Sequence, residues 1–515
     1  MEQEESTYTS WHSFSETHAR QRPEKVFIES LDQGRRITFR EMNEWCSKVA
    51  NFLKQRNLTK HDKVTLIGKN SLETMIIYFG TLKYGAILNP IFSEESEENL
   101  YRIINLAQPT LILYDIERNL DKEKRPTSEW IPFSEFFDKQ KTKDELFELL
   151  KDQSTKFDTH LGEGTDIAEI LYTSGTTSVP KGILISREAL FFMADEISER
   201  IEITDKDNVL EYRAYNWASA QLLTILSAMI KGNTLFLGKK FSRTKFPEWL
   251  KNFDITVSSG VPAVFSMMIH EPVNLKKADV PSLRFITSSS APLPEEIHLR
   301  FEEQYGIRIN QMMGMSEAGW MAGNPPANRK IGSVGLPLKH KEIFFRNEDG
   351  MRCGPGEVGE MIVKGKSMGL CYLNQDGSRT EFSKEGFATG DLGYMDEDGY
   401  IFITGRKKDL IIRGGINISP MEITTRMLEH QALYEAVTIG VPDKIFGEEV
   451  IGFAVRKEEF DITEDELIAH CRKSLPDFKT PKKIIFLPEL PRNQNGKVAK
   501  MELIRILDQQ FNQVA

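Results

Sequence analysis

The sequence predicts an α/β fold: a large N-terminal region of several subdomains with layered α/β sheets, one subdomain β-rich, and a small α+β C-terminal domain. Three observations predict it. Strand-like and helical patterns alternate from residue 9 to about residue 363, as expected of sheets covered by helices. From Gly354 onward glycines and short β-like runs dominate. A basic, glycine-rich junction, Gly405-Arg406-Lys407-Lys408-Asp409-Leu410-Ile411-Ile412-Arg413-Gly414-Gly415, then precedes a compact unit of about a hundred residues, an ordinary domain size. A chain of 515 residues is too long for one core. The boundary falls near Lys408, giving domains 1–407 and 408–515.

Taken in order, residues 14–20 and 39–55 read as amphipathic helices. Residues 63–68 read as a buried strand ending at Gly68. Residues 71–84 carry Leu72, Met75, Ile76, Phe79 and Leu82 at helical spacing. Residues 86–90 and 110–114 read as further strands. Residues 116–160 are charged and irregular, and read as surface helix and loop. Strand-like runs recur at 168–172, 183–185, 233–237, 255–259 and 283–287. The last runs into Ser288-Ser289-Ser290-Ala291-Pro292, small residues at a strand end of the kind that face ligands in α/β sheets. Beyond the junction, 420–430 and 464–475 read as helices, and 436–441 and 450–455 as strands.

Composition narrows the function. With 40% hydrophobic and 28% charged residues the chain is that of a soluble globular protein. A net charge of −10 argues against a broad nucleic-acid surface. Cys46, Cys353, Cys371 and Cys471 lack paired spacing and fit a reducing cytoplasm. The acidic start shows no secretory signal, and no apolar run is long enough for a transmembrane segment.

The most chemical stretch is Leu171-Tyr172-Thr173-Ser174-Gly175-Thr176-Thr177-Ser178-Val179-Pro180-Lys181-Gly182. Its glycines let backbone N–H groups approach an anion, its hydroxyls add donors, and Lys181 adds charge. The spacing is not that of a Walker loop. By itself it reads first as a polar turn between two strands, and only second as a phosphate loop.

Four further motifs decide between these readings: Met313-Gly314-Met315-Ser316-Glu317, Thr389-Gly390-Asp391, Gly405-Arg406-Lys407-Lys408-Asp409 and Asn495-Gly496-Lys497. In this order they resemble the adenylate-forming superfamily of acyl- and aryl-CoA synthetases, peptide-synthetase adenylation domains and luciferases. The resemblance covers nearly the whole chain. It implies an ATP-dependent carboxylic acid–CoA ligase that forms an acyl-AMP, releases pyrophosphate and passes the acyl group to CoA. ATP, Mg2+ and CoA are the implied cofactors.

The resemblance also implies roles. Thr173, Ser174, Gly175, Thr176, Thr177 and Lys181 would hold the β- and γ-phosphates. Ser316 would contact the α-phosphate, and Glu317 would bind Mg2+, which takes hard oxygen ligands. Ser290, Ala291 and Pro292 would line the adenine, with Gln311 and Met312 beside it. Met313 stands where the family usually stacks an aromatic ring. Asp391 would accept from both ribose hydroxyls, and Arg406 would add a donor. Lys497 would bridge the substrate carboxylate and the α-phosphate, following charge as it develops. Lys408 matches the hinge about which the small domain rotates between half-reactions, and the Gly414-Gly415 pair, Gly415 above all, would leave room for a pantetheine thiol.

The acid pocket is the least legible part. Tyr215, Asn216, Trp217, Val261, Ser288, Gly319 and Trp320 are its candidates, and core packing explains each aromatic equally well. Asn216 is neutral where amino-acid activators place an aspartate, which disfavours a simple α-amino acid. Arg213 reads better as a structural arginine than as a substrate ligand. The partners expected are a small organic or fatty acid and CoA, with a carrier protein's phosphopantetheine thiol as the alternative acceptor. A lysine at the hinge favours CoA.

Overall fold

The computed structural model describes residues 7–118, 120, 128–135, 145–172, 181–492 and 498–512. Two large sheets carry the N-terminal region. One has the strand order Arg379–Glu381, Cys371–Leu373, Gly182–Ser186, Ile167–Tyr172, Ile87–Phe92, Lys63–Gly68, Leu111–Asp115, Glu129–Phe133. The other runs Leu336–Pro337, Gly319–Gly323, Ile309–Met315, Phe285–Ser288, Val257–Ser258, Asn208–Glu211, Thr234–Leu237, Val26–Ser30, Arg35–Thr38. The expected β-rich subdomain is a four-stranded antiparallel sheet of Lys341–Arg346, Gly359–Gly365, Phe387–Met395 and Ile401–Arg406.

Helices between and around the sheets follow their capping and burial patterns. Phe39–Gln55 begins at a capping box formed by Thr38 and Glu41, and buries Phe39, Met42, Cys46, Val49, Ala50, Phe52 and Leu53. Leu72–Tyr84 is buried on every face, starts at the Ser71 cap and stops at Gly85, which is left-handed at φ 99°. The two helices meet closely at Gly80, where an added Cβ would lie 2.6 Å from the Val49 side chain. Apolar burial on this scale, at roughly 25 cal/mol per Å2, is the main force holding the layers together.

The largest departure from expectation lies in the stretch 116–160. Glu129–Phe133 adds a parallel strand to the first sheet, with Ile131 and Phe133 buried. Helix Glu145–Lys151 buries Leu146, Phe147 and Leu150. Three apolar side chains in one short helix suffice for burial, although the flanking charge hides their pattern. Within the apolar run 222–230, Gln221–Ile225 forms a π-helical turn before helix Leu226–Lys231. Such turns insert one residue into the helical ladder and concentrate at functional sites.

The C-terminal unit is α+β as expected. Ile416–Ile418, Ile411–Arg413, Gly447–Arg456 and Leu433–Asp443 form its sheet, and Lys483–Phe486 joins Gly447–Arg456 in parallel. Helices Pro420–Leu428 and Glu464–Arg472 complete a core around Ile411, Ile418, Ile423, Met427, Leu433, Leu467 and Cys471. The expected boundary coincides with a 3-10 turn, Lys407–Asp409.

Candidate active site

The first wall of the site stands at the edge of the first sheet. Strands Ile167–Tyr172 and Gly182–Ser186 are antiparallel neighbours, with Tyr172 opposite Gly182. The loop they bracket holds Thr173, Ser174, Gly175, Thr176 and Thr177, which lie outside the described residues. Lys181 is described. Its Nζ lies 5.1 Å from the centre of the Tyr372 ring, a cation–π contact worth about 0.5–1 kcal/mol where exposed. Tyr372 belongs to strand Cys371–Leu373, which pairs with Gly182–Ser186. Its hydroxyl donates to Glu317 Oε1 at 2.8 Å. Burial, reinforced by the Glu317 charge, pushes the phenol above its usual range, so it remains a donor. One aromatic side chain thus links the expected phosphate lysine to the expected metal-binding carboxylate.

Glu317 and Ser316 sit in the turn between Ile309–Met315 and Gly319–Gly323. The strands are antiparallel, with Gly314 opposite Trp320 and Met315 opposite Gly319. Gly319 takes φ 60° to make the turn, and Gly314 lies against its partner strand, where a Cβ would come 2.7 Å from the Gly319 carbonyl oxygen. Gln311 and Met312 are buried, while Met313 is half-buried.

The next strand over, Phe285–Ser288, pairs in parallel with Ile309–Met315 and ends in Ser288-Ser289-Ser290-Ala291-Pro292. Ser290 adopts φ 71°, a left-handed conformation that a non-glycine residue enters at a cost of about 1–3 kcal/mol. Its Oγ lies 3.5 Å from Ser219 Oγ. Beneath this loop Arg213 is buried and pairs with Glu211 through Nε at 2.9 Å and a terminal nitrogen at 2.6 Å. Glu211 also accepts from Ser259 and Thr224. Arg213 is therefore a structural arginine whose charge is already compensated.

A third group comes from the β-rich subdomain. Asp391 and Arg406 face each other on neighbouring strands, with Nε 2.7 Å from Oδ1. Asp391 is buried, and its backbone N–H donates to Thr389 Oγ1 across the left-handed Gly390. Arg406 thus orients the carboxylate expected to meet the ribose. Lys408 is exposed two residues further on. Gly414 and Gly415 are left-handed, at φ 60° and 83°, and Gly414 N–H donates to Phe446 O at 2.8 Å. Lys497 lies outside the described residues.

Of the acyl-pocket candidates, Tyr215 takes the packing alternative. It is fully buried, and its hydroxyl bridges the carbonyls of Leu66 at 2.7 Å and Ile91 at 2.9 Å. The single hydroxyl proton is shared between these two carbonyls and ties segment 212–217 to the first sheet. Asn216 and Trp217 are half-buried, Val261 precedes helix Pro262–His270, and Ser288 and Trp320 are buried. Asn216 Oδ1, Ser288 Oγ, Gln311 Oε1 and Trp320 Nε1 are buried without a hydrogen-bond partner among the described residues. Ser288 and Gln311 are register partners on neighbouring strands, and unsatisfied groups of this kind cost about 1–3 kcal/mol each.

Residues 15–373 match the AMP-binding enzyme family, and residues 422–497 match the AMP-binding enzyme C-terminal domain. The chain belongs to the AMP-binding enzyme family. A sulfoacetate–CoA ligase from Cupriavidus necator is 30% identical over 506 residues, covering 94% of this chain and 96% of that protein. A long-chain-fatty-acid–CoA ligase from Bacillus subtilis is 29% identical and covers 94% and 92%. The crystal structure of ATP-bound MatB from Rhodopseudomonas palustris superposes with a TM-score of 0.88 at 28% identity, covering 96% of this chain and 98% of that one. Fold class and family resemblance read from the sequence are both borne out.

Two residues of this AMP-binding enzyme escaped the sequence reading. Tyr372 carries no motif of its own, and only strand pairing brings it between Lys181 and Glu317. Glu169, a charged residue within an apolar run, was the one visible signal for the other. It is fully buried and accepts from Gln221 Nε2 at 2.6 Å, on the π-helical turn, and from Tyr78 OH at 3.4 Å. Burial pushes its carboxyl up to about 8, outweighing those hydrogen bonds. Among the described residues no three acidic, histidine or cysteine side chains gather as a metal cage. A lone Glu317 is sufficient donor chemistry for Mg2+, which keeps most of its water and takes substrate phosphates.

Proposed function

We propose that the chain is an ATP-dependent acid–CoA ligase working in two half-reactions on one site. The observation that carries this reading is the alignment of Lys181, Tyr372 and Glu317 on one wall with the Asp391–Arg406 pair on another, in a chain that matches acid–CoA ligases over nearly its full length. In the first half-reaction the acid's carboxylate attacks the α-phosphorus of ATP and pyrophosphate leaves. Lys181 and loop 173–180 hold the departing phosphates. Asp391, oriented by Arg406, fixes the ribose, and Ser288-Ser289-Ser290-Ala291-Pro292 encloses the base. Glu317, held by Tyr372, is the residue that would carry Mg2+, which when bound neutralises phosphate charge. Lys497 meets the attacking carboxylate and the α-phosphate. This is catalysis by positioning and charge neutralisation.

In the second half-reaction a thiol attacks the acyl carbon and AMP leaves. Lys408, exposed in a short turn between the two family-matched regions, is the hinge we assign. Gly414 and Gly415 supply the small, left-handed surface along which a pantetheine arm reaches the adenylate. The acceptor is CoA and the compartment the cytoplasm.

The polar side chains Asn216 and Ser288 among the pocket candidates favour an acid with polar substituents over a plain fatty chain. The test is a panel spanning sulfoacetate, short dicarboxylates, hydroxy acids, aryl acids and long-chain fatty acids. Each is scored separately for pyrophosphate release and, by mass spectrometry, for the CoA thioester. A polar short acid should give both. Pyrophosphate release with a thioester only on a holo-carrier protein would refute the CoA assignment, and preference for a long-chain acid would refute the pocket reading.

A further inference from the structure

Helix Arg187–Arg200 follows directly on strand Gly182–Ser186, the strand that begins one residue after Lys181. Phe192 and Glu196 lie one turn apart on this helix and share a face. The Glu196 side chain is 0% exposed, and neither half-reaction uses it. Its partner is Lys341, the first residue of strand Lys341–Arg346 in the β-rich subdomain. The Lys341 side chain is buried as completely, with Nζ 3.2 Å from Glu196 Oε1. Glu196 Oε2 accepts from the His340 backbone N–H at 3.2 Å. Lys341 Nζ also donates to the Ser367 carbonyl and, at 2.6 Å, to the Ser367 hydroxyl. Phe192 makes the same connection a turn earlier. The His340 ring meets it edge-on at 5.0 Å, and Lys366 Nζ lies 4.3 Å from its centre. One helix face therefore fastens residues 340–341 and 366–367 together.

Segment 366–370 is also the one that reaches Glu317. It begins at Gly365, which is pressed so closely on its partner strand that an added Cβ would lie 2.0 Å from the His340 carbonyl oxygen. Two residues past Ser367, the Gly369 N–H donates to Glu317 O at 2.8 Å, and the Leu370 N–H donates to Leu184 O at 2.8 Å. Strand Cys371–Leu373 follows and supplies the Tyr372 hydroxyl to the Glu317 carboxylate. Backbone and side chain of Glu317 are thus both held from residues 369–372, and the near end of that stretch is fastened at Ser367. The same helix bears on the far end of the Glu317 turn, since a Cβ on Gly319 would meet Met193 Cγ at 2.7 Å.

A buried ion pair adds little net stability. Two charges withdrawn from water lose about as much solvation as they gain in mutual attraction, so replacing both with uncharged groups of similar volume is often neutral. Removing one partner alone is severe, because the other charge is left buried and uncompensated. What the pair does fix is relative position. It joins the helix behind the Lys181 wall, the first strand of the β-rich subdomain and the segment that holds Glu317.

We propose that Glu196 and Lys341 are positioning residues for Glu317: through Ser367 their buried pair sets the segment that holds the Glu317 carboxylate in place relative to Lys181. The inference rests on the role given to Glu317 above. The full-length protein and its variants are titrated with Mn2+–ATP, followed by water-proton relaxation, and with metal-free ATP in EDTA, followed by calorimetry. Acid-dependent ATP–pyrophosphate exchange is scored against Mg2+ concentration. Lys341→Met alone would strand the Glu196 charge, so the test variant combines Glu196→Gln with Lys341→Met. It should melt close to the wild type and bind metal-free ATP unchanged. It should bind Mn2+–ATP about tenfold more weakly, the lower end of what losing an outer-shell partner costs a metal site, and half-maximal exchange should need correspondingly more Mg2+. Asp195→Asn with Lys231→Met removes the 2.7 Å pair made by the neighbouring residue of the same helix and should leave both affinities unchanged. Wild-type Mn2+–ATP affinity in the test variant, a loss shared equally by metal-free ATP, or an equal loss in the Asp195–Lys231 control would each overturn the proposal. Glu317→Gln separates this inference from the reading beneath it. If that variant binds Mn2+–ATP as the wild type does, the role of Glu317 falls and the positioning role falls with it. If it binds more weakly while the test variant does not, the positioning role alone falls.

Discussion

At the scale of single residues, the site depends on side chains that hold other side chains. Tyr372 touches no expected substrate group directly; it fixes the Glu317 carboxylate at 2.8 Å and lies beneath Lys181. A hydrogen bond to a charged group is worth about 1.5–3 kcal/mol. Tyr372→Phe keeps the ring and the cation–π contact but removes the donor. It should slow acid-dependent ATP–pyrophosphate exchange by roughly tenfold, at about 1.4 kcal/mol per decade, and raise the Mg2+ concentration needed for half-maximal rate. An unchanged Mg2+ dependence would show that Glu317 is held by other means. Glu169 gives a pH signature. Its folded-state carboxyl, near 8, lies above the ordinary 4.5. The folded state therefore retains a proton that the unfolded state loses, so its contribution to stability is full below about 4.5 and disappears as pH rises through about 8. Glu169→Gln keeps the volume and cannot ionise. Between pH 6 and pH 9 the wild type should lose more thermal stability than the variant, by an amount on the order of a few kcal/mol. Parallel losses in thermal unfolding would rule this out.

At the scale of elements, legibility tracked periodicity. Helices 39–55 and 71–84 were readable because apolar residues recur at helical spacing and Thr38 and Ser71 stand at their starts. Glu129–Phe133 and Glu145–Lys151 were not, because a strand and a short helix among charges leave too few apolar positions for a pattern. The π-helical turn at 221–225 has the same apolar composition as an α-helix and leaves no trace in sequence. At the site, Lys181, Glu317, Asp391 and Arg406 could be singled out one by one from their motifs. Tyr372 depended on which strand pairs with which, and Tyr215 on where its hydroxyl points. The hairpin of Ile309–Met315 and Gly319–Gly323 allows an element-level test. A Cβ on Gly314 would meet the Gly319 carbonyl oxygen at 2.7 Å and Trp320 Cα at 3.2 Å. These are backbone atoms that cannot rotate aside. Gly314→Ala should therefore splay the turn that carries Ser316 and Glu317. A cost of about 1–3 kcal/mol is the usual scale of overpacking, seen as a lower melting temperature together with loss of pyrophosphate exchange. A variant that melts normally and retains exchange would show that the hairpin shifts freely.

At the scale of the whole molecule, the proposed two half-reactions require two regions to meet in two ways. Among the described residues the C-terminal unit meets the N-terminal region at several polar points, including Ser419 Oγ donating to Thr404 O. Arg300 Nη1 donates to Leu433 O at 2.6 Å and Nη2 to Leu428 O at 3.4 Å, and the His270 and Tyr434 rings meet edge-on at 4.1 Å. Arg300 is held in turn by Glu296 at 2.6 Å. Polar contacts of this kind suit the proposed rotation, since interdomain contacts of modest size permit motion. The two half-reactions then separate by mutation. Lys497→Ala should nearly abolish adenylate formation while sparing thioester formation from a supplied acyl-adenylate. Lys408→Pro, which locks a backbone dihedral within the hinge turn, should spare the first and block the second. Arg300→Ala acts on the equilibrium between orientations instead of on chemistry. Removing two hydrogen bonds from one orientation alone, at about 1 kcal/mol each, should move the two half-reaction rates in opposite directions by severalfold. Same-direction changes would mean that Arg300 supports the fold of helix Glu295–Tyr305 alone, and loss of only the second half-reaction in both lysine variants would mean that Lys497 and Lys408 do not serve alternate orientations.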